Sequence, residues 1–79
     1  MKIISFGIAQ EITGGLFTDF DAGPDPVSVA ELKTQLFTQF PALEKLATLS
    51  VAVNSKYAGN EIMINSQDEV ALIPPVSGG

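Results

Sequence analysis

Cysteine and histidine are both absent from the 79 residues of this chain. Their absence excludes disulfides, thiolate catalysis and any zinc site built on Cys and His. It also removes the usual bases: no nucleophile–base–orienter set can be assembled, and no serine has an evident base. The chain is therefore not expected to be an enzyme alone. Arginine is missing too. The positive charges are Lys2, Lys33, Lys45 and Lys56, against nine acidic residues, for a net charge of −5. Nucleic acid and anionic membrane surfaces both need clustered positive charge, so neither is an expected partner. No apolar run approaches the roughly 20 residues that span a bilayer. Met1 to Ala9 is apolar but holds a lysine and is interrupted by Ser5 and Gly7, so it reads as a strand and not a signal peptide. A cytoplasmic protein is expected.

What remains is a globular composition, 46% hydrophobic and 16% charged, long enough for one domain. With this much apolar content in so small a domain, some is expected on the surface for a partner. Lys2 to Gln10 reads as the first strand, with Ile4, Phe6 and Ile8 on one face and Ile3 on the other. Glu11 to Gly15 reads as a turn or loop, and Leu16 to Phe20 as a second strand returning through a hairpin. Asp21 to Pro26 is loop. Ser28 to Phe40 is the clearest helix. Ser28 and Glu31 have capping-box spacing, Val27 and Leu32 are placed for a hydrophobic staple, and Val29, Leu32, Leu36, Phe37 and Phe40 form one apolar stripe. Pro41 closes it, with Ala42 to Leu46 as a short further turn. Leu49 to Asn54 is a strand, Lys56 to Asn60 a turn around Gly59, Glu61 to Ile64 a short strand or edge, and Val70 to Ile73 the last strand. The order is that of an α+β fold: a mixed sheet with one main helix packed across one face. The first and last strands are placed to pair in parallel at its centre.

The acidic residues offer little chemistry. Asp19, Asp21 and Asp25 invite a calcium-loop reading that fails on spacing, with Gly23 one place early and Ala30 where the bidentate Glu belongs. Gly14-Gly15 is no phosphate loop, because no Lys-Ser/Thr pair follows. Asp68 and Glu69 are adjacent before a strand and point to different sides. No metal site is expected.

The most distinctive stretch is the ending, Asp68-Glu-Val-Ala-Leu-Ile-Pro-Pro-Val-Ser-Gly-Gly79. Pro74-Pro75 stops sheet pairing and stiffens an extended exit. Gly78 and Gly79, without Cβ atoms, fit a slot too narrow for other residues. From Pro74 to Gly79 the chain can reach roughly 20 Å, so a carboxylate at Gly79 could enter another protein's active site. The expected division is a domain over residues 1–73 and a flexible tail over 74–79.

This ending resembles that of the MoaD-like, sulfur-carrying small subunits of molybdopterin synthase, in the ubiquitin-like β-grasp superfamily. Ala9-Gln10 is similar to an Ala-Gln pair that ends the family's first strand, Ala52-Val53-Asn54 to an Ala-Val-Asn run, and Ser28-Val29 to a helix start. Ser77 stands where the family usually has threonine, and Ile73 where an aromatic often precedes the prolines. The resemblance implies a β-grasp fold and a carrier that binds no cofactor. An adenylating, ubiquitin-activating-like enzyme would use ATP to activate Gly79, and a sulfurtransferase would make it a thiocarboxylate. The tail (Pro74, Pro75, Val76, Ser77, Gly78, Gly79) would then insert into the molybdopterin synthase large subunit and give sulfur to cyclic pyranopterin monophosphate. The implied assembly is a heterotetramer with a carrier at each end of a large-subunit dimer. Ile8, Tyr57 and Ile73 are the implied partner contacts; read from the residues alone, core packing is the default for Ile8 and Ile73, and Tyr57 stands out as an aromatic at a turn. Three alternatives stay open: a thiamine-thiazole sulfur carrier, against which Pro74-Pro75 argues; a ubiquitin-like protein modifier joined through Gly79 to target lysines; and a plain interaction module in which Gly78-Gly79 is incidental.

Overall fold

The computed structural model describes residues 1–24, 26–46 and 48–75. In chain order the elements are β1 (Lys2–Ser5), α1 (Ile8–Thr13), β2 (Phe17–Asp19), β3 (Val27–Ser28), α2 (Val29–Gln39), α3 (Pro41–Glu44), β4 (Ser50–Val53), β5 (Lys56–Tyr57), β6 (Met63–Ile64) and β7 (Glu69–Ile73). Five strands make one sheet in the order β2-β1-β7-β4-β5, and β3 pairs with β6 in a separate ribbon. The central β1–β7 pair is parallel, with Lys2 opposite Glu69 and Ser5 opposite Leu72; the pairs flanking it are antiparallel. This is the ubiquitin-like β-grasp layout that the resemblance implies.

The core lies between the sheet and α2. Ile3, Val51, Val70 and Leu72 point to one side of the sheet and share a buried cluster with Val29, Leu32 and Leu36 of α2. Full burial of a side chain such as Leu32 or Leu36 contributes about 1.5–3 kcal/mol relative to exposure. Phe37, Phe40 and Leu46 pack at its margin, and Leu43 of α3 is fully buried.

The start of α2 is secured from two directions. The Ser28 hydroxyl accepts from the Glu31 amide at 3.1 Å, and the Glu31 carboxylate accepts from the Ser28 amide in return. The Val29 and Ala30 amides donate to the carbonyls of Ile62 and Asn60 at 2.9 and 3.1 Å. Amides at a helix start have no partner within the helix; here the cap and the 60–62 segment supply them.

Three expectations are corrected. The first strand ends at Ser5, and Ala9 and Gln10 lie in α1, not at a strand end. Gly7, at φ 53° and ψ −134°, is the first central residue of a type II′ turn closed by the Ala9 amide on the Phe6 carbonyl at 3.0 Å. The β1–β2 connection is therefore helical, ended by Gly14 at φ 97°. The buried face of β1 is that of Ile3 and Ser5, while Phe6 and Ile8 are about half exposed. Serine is tolerated inside because its hydroxyl accepts from Thr13 Oγ1 of α1 at 3.0 Å. Lastly, the turn after β4 is at Asn54-Ser55, and Lys56–Tyr57 is a strand. Both turn residues have positive φ, 51° and 72°, as a type I′ hairpin requires.

Asn54 also ties this hairpin to the approach to β7. Its side-chain amide donates to Asp68 Oδ1 at 3.0 Å, and its side-chain oxygen accepts from the Glu69 amide at 3.0 Å. Asp68 Oδ2 accepts from the Asn65 amide at 2.8 Å. The backbone donor at Asn65, and then the Asn54 side chain, hold the Asp68 carboxyl below the usual carboxylate range.

A carboxyl whose pKa is lowered by folding adds stability above its unfolded pKa and loses it as pH falls through the folded value. Urea midpoints of the wild type should therefore fall toward those of Asp68→Asn as pH drops below about 4, with the gap constant above about pH 5. Ser28→Ala should cost about 1 kcal/mol at neutral pH through loss of the cap, read by the same titration.

Candidate functional site

Directly paired residues on neighbouring strands share a face of the sheet. The registers therefore align Phe17, Ile4, Ala71, Ala52 and Tyr57 in one row on the side away from α2. The row has aromatics at both ends and alanines at its middle. Phe17 is 59% exposed and Tyr57 75%. Small residues between large ones make a trough. A concavity of about 350 Å³ lies there, lined by Ile4, Phe6, Ala52, Tyr57, Ala71 and Ile73 with Ser55 and Glu69. Along one margin runs the polar row Asp19, Lys2 and Glu69, and Lys2 Nζ stands 4.7 Å from the Phe17 ring centroid. An apolar centre with a charged margin is the anatomy of a protein-binding surface.

Of the expected contacts, Tyr57 and Ile73 are brought together in this concavity, and neither belongs to the core. Ile8 is exposed at the start of α1 and does not line it. Ile4, Phe6 and Phe17 belong to the face and were not singled out from sequence. For Ile4 and Phe6 the signal was the second apolar face of the first strand, which alternation marks but does not assign to solvent or core; Phe17 stands opposite Ile4 on β2.

The tail leaves beside this face. Ile73 ends β7 and Pro74 follows it, half-buried against Gly7. Pro75 is exposed. Val76, Ser77, Gly78 and Gly79 lie outside the described residues. In the loop after β2, Asp21 Oδ1 accepts from the Gly23 amide at 2.9 Å, a local turn. Among the described residues no group of three or more Asp or Glu side chains is gathered to hold a metal, and no helix is long and apolar enough to cross a membrane.

Residues 3–79 match the model of the ThiS family. The chain belongs to that family. Within it, the chain is 36% identical to the molybdopterin synthase sulfur carrier subunit of Dictyostelium discoideum, over 99% of this chain and 94% of that one. It is 31% identical to the protein of the same name from Arabidopsis thaliana, over 100% of this chain and 82% of that one. Among solved structures it is similar to SAMP1 from Haloferax volcanii, with a TM-score of 0.80 and 26% identity across 99% of this chain and 97% of that chain.

If the trough serves partners and not the fold, stability should discriminate its residues from those of the core. Tyr57→Ser should change stability by less than about 0.5 kcal/mol, as exposed positions do. Ile3→Ala should cost about 2–5 kcal/mol. Chemical denaturation of both variants checks the contrast.

Proposed function

We propose that this chain is the sulfur-carrier small subunit of molybdopterin synthase. The observation that carries the reading is the full-length similarity to relatives of that name, at 36% and 31% identity. The geometry supports it: an apolar docking face lies beside a proline-stiffened exit, and the chain ends in Gly78-Gly79.

The chemistry follows from the end group. A carboxylate is a poor electrophile at neutral pH. On an adenylating, ubiquitin-activating-like enzyme the Gly79 carboxylate attacks the α-phosphorus of ATP and pyrophosphate leaves. The acyl-adenylate now carries a good leaving group. A sulfurtransferase persulfide attacks its carbonyl carbon and expels AMP. A second thiol cleaves the S–S bond, leaving a thiocarboxylate at Gly79 and a disulfide on the thiol side. An acyl-adenylate must be kept from water, and Gly78-Gly79 suits a closed slot. In the large subunit the thiocarboxylate sulfur bonds to a side-chain carbon of cyclic pyranopterin monophosphate as that carbon's oxygen substituent leaves, as water or as the phosphate-ester oxygen, and hydrolysis of the resulting thioester frees the carrier with Gly79 again a carboxylate. The carrier supplies Gly79, the reach of residues 74–79 and the trough around Tyr57 and Ile73; Ile8, exposed at the start of α1, adds a contact outside the trough. ATP belongs to the activating enzyme and no cofactor to this chain. The setting is the cytoplasm, and the assembly a heterotetramer around a large-subunit dimer.

A second reading is favoured by one finding, the likeness to SAMP1 of Haloferax volcanii, a small archaeal modifier protein. As a modifier, the chain would pass Gly79 to a lysine amine instead of to sulfur.

With purified components, deletion of Gly79 should abolish molybdopterin formation. Tyr57→Asp should weaken binding to the large subunit by about tenfold or more, as loss of a buried aromatic anchor does. Undiminished synthesis without Gly79 would end the carrier reading, and unchanged binding by Tyr57→Asp would remove the trough from the interface.

A further inference from the structure

The β1–β7 register brings a residue without a side chain beside one without a backbone donor. Ser5 is opposite Leu72, and the last bond between the strands is from the Phe6 amide to the Leu72 carbonyl, at 3.2 Å. Two residues beyond the Ser5–Leu72 pair, the same register carried on sets Gly7 by Pro74. Proline cannot continue the ladder, and at Gly7 the chain turns away into α1. A Cβ at Gly7 would stand 3.2 Å from Cγ of Pro74. The ring of Pro74 thus rests on the bare Cα side of Gly7.

Two independent constraints keep this position glycine. Its φ of 53° with ψ of −134° is a II′-turn conformation that residues with a Cβ avoid. The space where a Cβ would go is also held by Pro74. The turn is anchored beyond its own bond: Thr13 Oγ1 at the end of α1 reaches Ser5 just before it. The neighbour of Pro74 is therefore fixed to the sheet and to α1, and does not yield easily.

We infer that Gly7 is a positioning residue for the tail: by seating the Pro74 ring it sets the direction in which Pro74-Pro75 leaves the sheet, relative to the trough that docks the partner. Nothing in the fold alone calls for this contact, since a β-strand can end without one. A carrier needs it, because its reactive end must reach a slot at a fixed place once the trough has docked. The inference rests on the carrier reading for its consequence, but the contact can be tested without it.

In the full-length labelled protein, a nuclear Overhauser effect between the Gly7 α-protons and the Pro74 ring γ-protons is expected; its absence overturns the inference whatever the chain's function. The consequence is read with an activating enzyme of the adenylating type, ATP and full-length variants. Because misplacement by about 1 Å can cost up to about 100-fold, Gly7→Ala should lower kcat for adenylation by about tenfold and change KM by less than about threefold. Pro74→Ala, which keeps the Gly7 turn and removes Cγ, should lower kcat by about threefold. The double variant should lose clearly less than the product of the two losses, the signature of residues that act through one contact. Unchanged kcat in a folded Gly7→Ala protein, or losses that multiply, would overturn the inference. If Gly7→Ala does not fold, Pro74→Ala decides alone: wild-type kcat would overturn it. If the wild type itself is not adenylated, the carrier reading fails, and the Overhauser contact still decides whether Gly7 seats Pro74.

Discussion

The parallel pairing of β1 with β7 is the constraint on which the rest of the structure depends. It joins the first and last strands at the centre of the sheet, with Ile3 beside Val70 and Ser5 beside Leu72. Both strands must then be covered on one side, which α2 does through Leu32 and Leu36. The crossing of the intervening chain carries α1, α2 and α3 and leaves β2 and β5 as the outer strands. On the uncovered side the same pairing aligns Ile4, Ala71 and Ala52 and so builds the floor of the trough. At its far end it delivers Pro74 next to Gly7. Trough and exit from the sheet are thus two consequences of one strand pair.

Local chemistry was legible in the sequence where it needs only neighbours. The cap of α2 follows from Ser28 and Glu31 three residues apart, and Val27 and Leu32 are both buried around it. The last strand, the short turn after Pro41 and the parallel centre of the sheet likewise followed from alternation, proline and element order. Helix α1 did not, because six residues span fewer than two turns and show little periodicity. Its clues were Gly7 ahead of it, Gly14-Gly15 after it, and Ala9 and Ile12 three apart. The hairpin at Asn54-Ser55 lacked the glycine that usually marks a type I′ turn. That moved Tyr57 from a presumed turn to a strand, at the margin of the trough.

Which side of β1 faces the core was not legible for a different reason. Ser5 looks like a solvent-side residue and Phe6 like a core one. The structure reverses them: Thr13, eight positions on, satisfies the buried hydroxyl, and the apolar Ile4 and Phe6 line the open face. Alternation identifies two faces but not which is covered, and the answer comes from an element that the strand pattern had absorbed. For the candidate site, the expectation at the terminal residues rests on the sequence alone, while the exposed face beside Ile73 required the register of five strands.

The account makes this chain a carrier whose reactive group is its own end, presented from an apolar face. Mass spectrometry of the C-terminal peptide, from protein isolated from its native cells, tests that most directly. Fragmentation must place the change, since oxidation of Met1 or Met63 gives nearly the same nominal shift. Sulfur in place of oxygen at the Gly79 carboxyl is the predicted result. An isopeptide bond from Gly79 to a lysine of another protein, with no sulfur at that carboxyl, would contradict the carrier and make the chain a modifier.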